Sequence, residues 1–261
     1  MKFREMLTYS ALIEAVTQNA ERELTFKSNM SRFRNKFGMT KTTELPRLLR
    51  SAGFTLTEVL ITIGIIGVVA ALTLPNLIQN SFEKRVVSQL REVQSILAQA
   101  VRHAEQEDGD VSGWGMNYDG SSQDAEIIAE KIKPYIKLAY DCGLTDEKSI
   151  CTPNIIYKKL NGNNHINYSV SSNYYKIKLL NGSSIWFRSG KKNTEKFDID
   201  FFIDINGSNP PNIVGKDLFN LLYQNGSVGI SDAEKDSCKK DKSGWGCSYY
   251  ILTNHNMNYL H

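Results

Sequence analysis

From Val59 to Phe82 the chain runs for 24 residues without an Asp, Glu, Lys or Arg. At about 1.5 Å of rise each, that run makes a helix of roughly 36 Å, enough to cross a hydrocarbon core of about 30 Å. Beyond it the pattern changes. Val86, Leu90, Val93, Leu97, Val101 and Ala104 recur at spacings of three and four, which is one apolar stripe on a helix. Glu83, Lys84, Arg85, Arg91, Glu92 and Arg102 lie off the stripe, and Asp108-Gly109-Asp110 ends it. The pattern predicts a single helix from Phe54 to about Glu107, roughly 80 Å long. Its first half (54–82) is apolar all round. Its second half (83–107) is amphipathic, with the stripe packed on the chain's own globular domain, residues 108–261.

A loop rich in Gly, Ser, Asp and Asn follows, from Asp108 to Ser122. Ser121 and Asp124 have the spacing of a helix N-terminal capping pair. They open a second helix carrying Ile127, Ile128, Ile132 and Ile136, with Pro134 interrupting its C-terminal half. After Cys151 the period shifts to two. Ile166–Val170 and Tyr175–Leu179 alternate, and Ile185–Arg188 follows the dipeptide Asn181-Gly182, which predicts a hairpin. Ile199–Ile205 reads as a further strand and Ser248–Leu252 as the last. Helices followed by antiparallel strands predict an α+β fold, a long N-terminal helix packed on a domain with an antiparallel sheet.

Charge adds a direction to this picture. The 261 residues carry a net charge of +3, but it is unevenly spread. Residues 1–53 hold ten Lys/Arg against five Asp/Glu, whereas residues 54–261 hold 21 against 23. No basic surface remains downstream to point to nucleic acid. Positive flanks stay cytoplasmic, so the N-terminus is expected inside a membrane crossed once and everything after Phe82 outside it. All four cysteines, Cys142, Cys151, Cys238 and Cys247, fall after the apolar run. An even number on the exported side points to disulfides. Three pairings are open, and the two local bridges, Cys142–Cys151 and Cys238–Cys247, are preferred because each closes a short loop. Zinc is disfavoured: there is no CxxC, and His103, His165, His255 and His261 are scattered.

The start of the apolar run is more specific. A cleaved secretory signal has a short apolar core followed by a small-residue cleavage site. Here Gly53 precedes the run, and Phe54, Thr55, Leu56, Glu58, Val59 and Leu60 follow, then Ile61–Leu74 and Pro75. This arrangement closely resembles the prepilin N-terminus of type IV pilins and type II secretion pseudopilins. The resemblance implies a prepilin peptidase that cuts between Gly53 and Phe54 and methylates the new amine on Phe54. It implies that Glu58, fifth residue from Phe54, meets the N-terminal amine of a neighbouring subunit during assembly, and that Pro75 is the helix landmark where a kink is expected. The partners implied are that peptidase, other pilin or pseudopilin subunits and an inner-membrane assembly platform. The inner membrane holds the subunit before assembly, and the globular domain is exported to the periplasm or a cell-surface filament. A leader of 53 residues is long for that family, and Met30 and Met39 are alternative starts. The competing reading is a membrane-anchored exported binding domain that never polymerises.

Little else in the chain carries chemistry. Asp204, Asn206 and Ser208 stand two apart, like the oxygen ligands that open a calcium loop. Pro210 and Pro211 break the pattern and no glutamate closes it, so a turn linking two strands is preferred, although some pseudopilins bind calcium in a C-terminal loop. There is no GxSxG, HExxH or phosphate-binding glycine loop, and neither an enzyme nor a cofactor is expected.

Overall fold

The computed structural model of the protein describes residues 55–190, 198–224, 226–230 and 236–261. The chain divides into two units, Met1–Ile61 and Thr62–His261. The elements are helix α1 (Leu56–Asp108), helix α2 (Ser122–Ile132), strands β1 (Leu138–Gly143), β2 (Tyr175–Leu179), β3 (Ser184–Ser189), β4 (Ile199–Asp204), β5 (Leu218–Gln224) and β6 (Ser227–Gly229), and helix α3 (Cys247–Asn254). The six strands form one sheet in sequence order, every neighbour antiparallel. This is the α+β architecture expected from the sequence.

Helix α1 holds together because few of its residues oppose it and both of its ends are satisfied. Gly109, at φ +78°, donates its N–H to the Glu105 carbonyl at 3.1 Å and closes the C-terminus. Pro75 lies inside the helix. In its second half Val86, Leu90, Val93, Leu97, Ala100, Val101 and Ala104 are buried. They pack in one core with Ile177, Ile185, Phe187, Phe201, Phe219 and Leu221 of β2–β5. Alternation along each strand sends Trp186, Phe202 and Leu218 to the opposite face, where they join Tyr157, Tyr168 and Tyr174 in a second core.

Helix α2 begins where Ser121 accepts the Asp124 N–H at 3.3 Å. Pro134 then tightens the chain into a 3₁₀ turn over Lys133–Tyr135, and Ile136 is already extended. The hairpin between β2 and β3 turns on Asn181 and Gly182, the latter at φ +88°. Only glycine takes that conformation without strain.

Two expected strands are absent. Ile166–Val170 is a loop, because Asn167 Oδ1 accepts both the N–H and the hydroxyl of Ser169 (3.0 and 2.8 Å) and folds the backbone into a local turn. Ser248–Leu252 lies inside α3. Its buried positions, Cys247, Ser248 and Ile251, are spaced for one face of a helix, and the bond from Cys247 to Cys238 sets the start of that turn. Strands β1, β5 and β6 were not anticipated. Leu138–Gly143 has no alternation, and in Leu218–Gln224 the alternation of Phe219, Leu221 and Tyr223 with Asn220 and Gln224 is blurred by Leu218 and Leu222 on the second face.

The central contact of the fold yields a test. Leu97 is fully buried between α1 and the sheet, and Leu97→Ala should destabilise the protein by about 2–5 kcal/mol through lost burial and an unfilled cavity. Denaturant unfolding of the detergent-solubilised protein measures this. A loss below about 1 kcal/mol would mean the stripe is not structural cover for the sheet.

Candidate functional site

Gly53 and Phe54, the expected cleavage site, lie outside the described residues. The described chain opens at Thr55, and there the local chemistry is explicit. Thr55 Oγ1 accepts the Glu58 N–H at 3.2 Å. Glu58 Oε2 in turn accepts the Thr55 N–H at 2.8 Å and the Thr55 hydroxyl at 2.9 Å. This reciprocal pair is a capping box, which satisfies two donors that a helix start otherwise leaves orphaned. The spacing Thr55-Leu-Thr-Glu58 is the sequence signature of such a box. Glu58 therefore has a partner within its own subunit, and its carboxylate is fully exposed.

From Leu56 to Ile78 the large apolar side chains of α1 are exposed. None of the residues in the most apolar stretch of the helix is buried. Among the described residues α1 is the one helix long and apolar enough to cross a membrane.

The cysteines are bonded as Cys142–Cys151 and Cys238–Cys247. The first bridge closes a loop organised by Asp146. That buried carboxylate accepts the N–H groups of Ile150, Cys151 and Thr152 at 2.6–2.8 Å. Cys142, Asp146 and Cys151 form the single cluster of potential metal-ligating side chains among the described residues. With both sulfurs in a disulfide it offers no thiolate ligand. The second bridge lies against Gly215 and Gly244. A Cβ on Gly244, which is at φ +89°, would meet the Val214 carbonyl oxygen at 2.6 Å, so this crossing of the chain requires glycine.

Asp204, Asn206 and Ser208 are not alike in their surroundings. Ser208 is exposed, whereas Asp204 is buried. One Asp204 oxygen accepts the Asn206 N–H at 3.1 Å and the other the Tyr157 hydroxyl at 2.5 Å. A second buried carboxylate, Asp217, accepts the N–H groups of Asn212 and Ile213 at 2.6 and 2.7 Å. The two acids organise the connection between β4 and β5, which contains a cis Pro210–Pro211 bond. Burial, then the charge of Asp217, pushes the Asp204 carboxyl well above the usual range. Burial pushes Asp217 up to about 6, against the pull of its N–H donors.

Two family models match the chain. Residues 48–74 match the Prokaryotic N-terminal methylation motif. Continuous with the long apolar helix, that match supports membership of the type IV pilin and pseudopilin family, whose subunits are substrates of prepilin peptidase. Residues 76–258 match the family described as Family of unknown function (DUF6613), and since this is well over half of its length, the chain belongs to that family. Neither a curated protein nor a solved structure matches it.

The acid pair sets a pH dependence. Folding favours the protonated carboxyls, so their contribution is complete below the ordinary aspartate pKa of 3.8 and is lost as pH rises through their raised values, about 6 for Asp217. The melting temperature is expected to fall as the pH is raised from about 4 to about 7. Asp204→Asn, which keeps an acceptor for Asn206 and a partner for Tyr157, should flatten that fall. An identical slope in the variant would remove Asp204 from the explanation.

Proposed function

We propose that this protein is a structural subunit of a type IV filament: a pilin, a minor pilin or a type II secretion pseudopilin. The observation that carries the reading is the methylation motif running directly into an apolar half-helix that the chain's own domain leaves uncovered. Exposed apolar surface on that scale is stable only in lipid or against other apolar helices. In the proposed cycle the inner membrane stores the half-helix, with the N-terminus cytoplasmic and the disulfide-bonded domain exported. Prepilin peptidase cuts between Gly53 and Phe54 and methylates Phe54. Assembly on the inner-membrane platform then moves the half-helix from lipid into a bundle of like helices. A repeated head-to-tail contact that does not close produces a filament.

Glu58 has two roles in this scheme. In the single subunit it caps its own helix through Thr55. On docking, its exposed carboxylate is the acceptor for the amine of a neighbouring subunit. The alternative, an exported domain that stays anchored and never polymerises, needs only the cap.

Processing is tested first. Intact-mass analysis of the protein from cells containing the peptidase should give a chain beginning at methylated Phe54. A mass that retains Gly53 would exclude the cut.

Glu58→Gln then separates the two roles, because glutamine also serves in a capping box but carries no charge for the amine. The variant should be cut, reach the membrane at wild-type abundance, and enter filaments roughly a hundredfold less often, the scale of losing one partner of a desolvated charge pair. Incorporation equal to wild type would leave Glu58 as a cap alone.

A further inference from the structure

The face of the sheet turned away from α1 carries a built cavity that neither processing nor filament assembly uses. Its floor comes from cross-strand neighbours: Arg188 opposite Asp200, and Phe202 opposite Asn220. Its walls come from the loop bearing His165, Tyr168 and Tyr174, and from Trp245 just ahead of the second disulfide. The cavity measures about 360 Å³, at the small end of sites that hold small molecules.

The lining joins two kinds of chemistry. Aromatic rings meet edge to face, with Phe202 5.6 Å from Trp245 and 5.5 Å from Tyr174 between centroids. Tyr168, Tyr174 and Phe202 are themselves buried, and the half-buried Trp245 is held against them as the ring left open to the cavity. Beside them stand planar polar groups of every hydrogen-bonding type: a guanidinium, a carboxylate, an amide and an imidazole. Arg188 lies over the Tyr174 ring at 4.8 Å, and its Nε is buried without a hydrogen-bond partner, since the nearest Asp200 oxygen is 3.9 Å away. That nitrogen is covered by protein atoms, and the exposed remainder of the guanidinium is what faces the cavity.

Charge narrows the ligand. Arg188 and Asp200 balance each other, and burial together with nearby Lys159 lowers the His165 pKa, so its imidazole is neutral at neutral pH. Within the lining one guanidinium is matched by one carboxylate, so it offers no excess charge to select phosphate or a free carboxylate. Donors and acceptors at one side and aromatic faces at the other match a molecule with hydroxyls on its edge and C–H groups on its face.

The geometry points to a saccharide-binding site on the exported domain, taking one neutral hexopyranose unit. Trp245 contacts its C–H face, and Arg188, Asp200 and Asn220 bond its hydroxyls. The site is independent of polymerisation and serves a filament subunit or an anchored monomer equally. In either case it is a point of attachment to a glycan outside the membrane.

The test uses the full chain in a zwitterionic detergent without sugar head groups. Saturation-transfer NMR is recorded with glucose, galactose, mannose and N-acetylglucosamine, each at about 10 mM, a concentration suited to millimolar affinity. At least one hexose should receive saturation. Trp245→Ala and Asp200→Asn should each weaken its binding at least tenfold while leaving the melting temperature within about 3 °C of wild type. Asp200→Asn preserves shape and serves as the deciding variant if Trp245→Ala unfolds. Saturation of none of the four sugars would overturn the proposal. So would unchanged sugar binding in folded Asp200→Asn, or tighter binding of free tryptophan or phenylalanine than of any hexose.

Discussion

Everything in this protein is arranged around the packing of one helical stripe on one sheet face. The side chains of Leu90, Val93, Leu97, Phe201 and Phe219 lose essentially all contact with water at that contact, each gaining about 1.5–3 kcal/mol from burial. The stripe begins only at Val86. Ahead of it, α1 has apolar residues on all sides and no sheet to cover them. The same helix is thus a core element over half its length and an unsatisfied hydrophobic surface over the other half. That division leaves the first half of the helix in need of apolar surroundings other than the sheet, in lipid or against other apolar helices.

Polar contacts fix how the stripe sits. Gln89 and Gln94 donate to the carbonyls of Asn181 and Val228, and Glu105 accepts the Tyr223 hydroxyl. These three contacts tie successive turns of α1 to the β2–β3 turn, to β6 and to β5. Hydrophobic burial is non-directional, so contacts of this kind are what select one register of helix on sheet.

Buried charges perform the corresponding task for the loops. The Lys176 ammonium donates to the carbonyls of Leu144, Ser171 and Tyr174, at 2.6, 2.6 and 3.3 Å, and joins the loop ahead of β2 to the first disulfide loop. Burial lowers its pKa to about 8, opposed by Asp146. Asp124 accepts the Asn117 N–H and the Ser189 hydroxyl, at 2.8 and 2.6 Å, and docks α2 on β3. The Lys176 contacts hold the loop ahead of β2 against the outer face, beside the aromatic cavity, while Asp124 fixes α2 on the inner face.

The sequence by itself determined the parts whose physics is local or one-dimensional. The length of the uncharged run, the spacing of Val86 to Ala104, the Asn181-Gly182 turn and the Ser121 cap each depend on residues within a few positions of one another. The methylation motif, with Gly53, Phe54 and Glu58 in register, is equally local. Tertiary structure decided the rest. Leu138–Gly143 became a strand because β2 supplied a partner, while Ser248–Leu252 became a helix because its buried face and the Cys238–Cys247 bond favoured one over an equally β-prone composition. Asp217 and Lys176 look like ordinary solvated charges in the sequence, and burial alone made them structural. The cavity residues are separated by as much as 80 positions, His165 to Trp245. What brings them together is the alternation of a six-stranded sheet, which puts every second residue of β3, β4 and β5 on one face, and no pattern along the chain encodes that meeting.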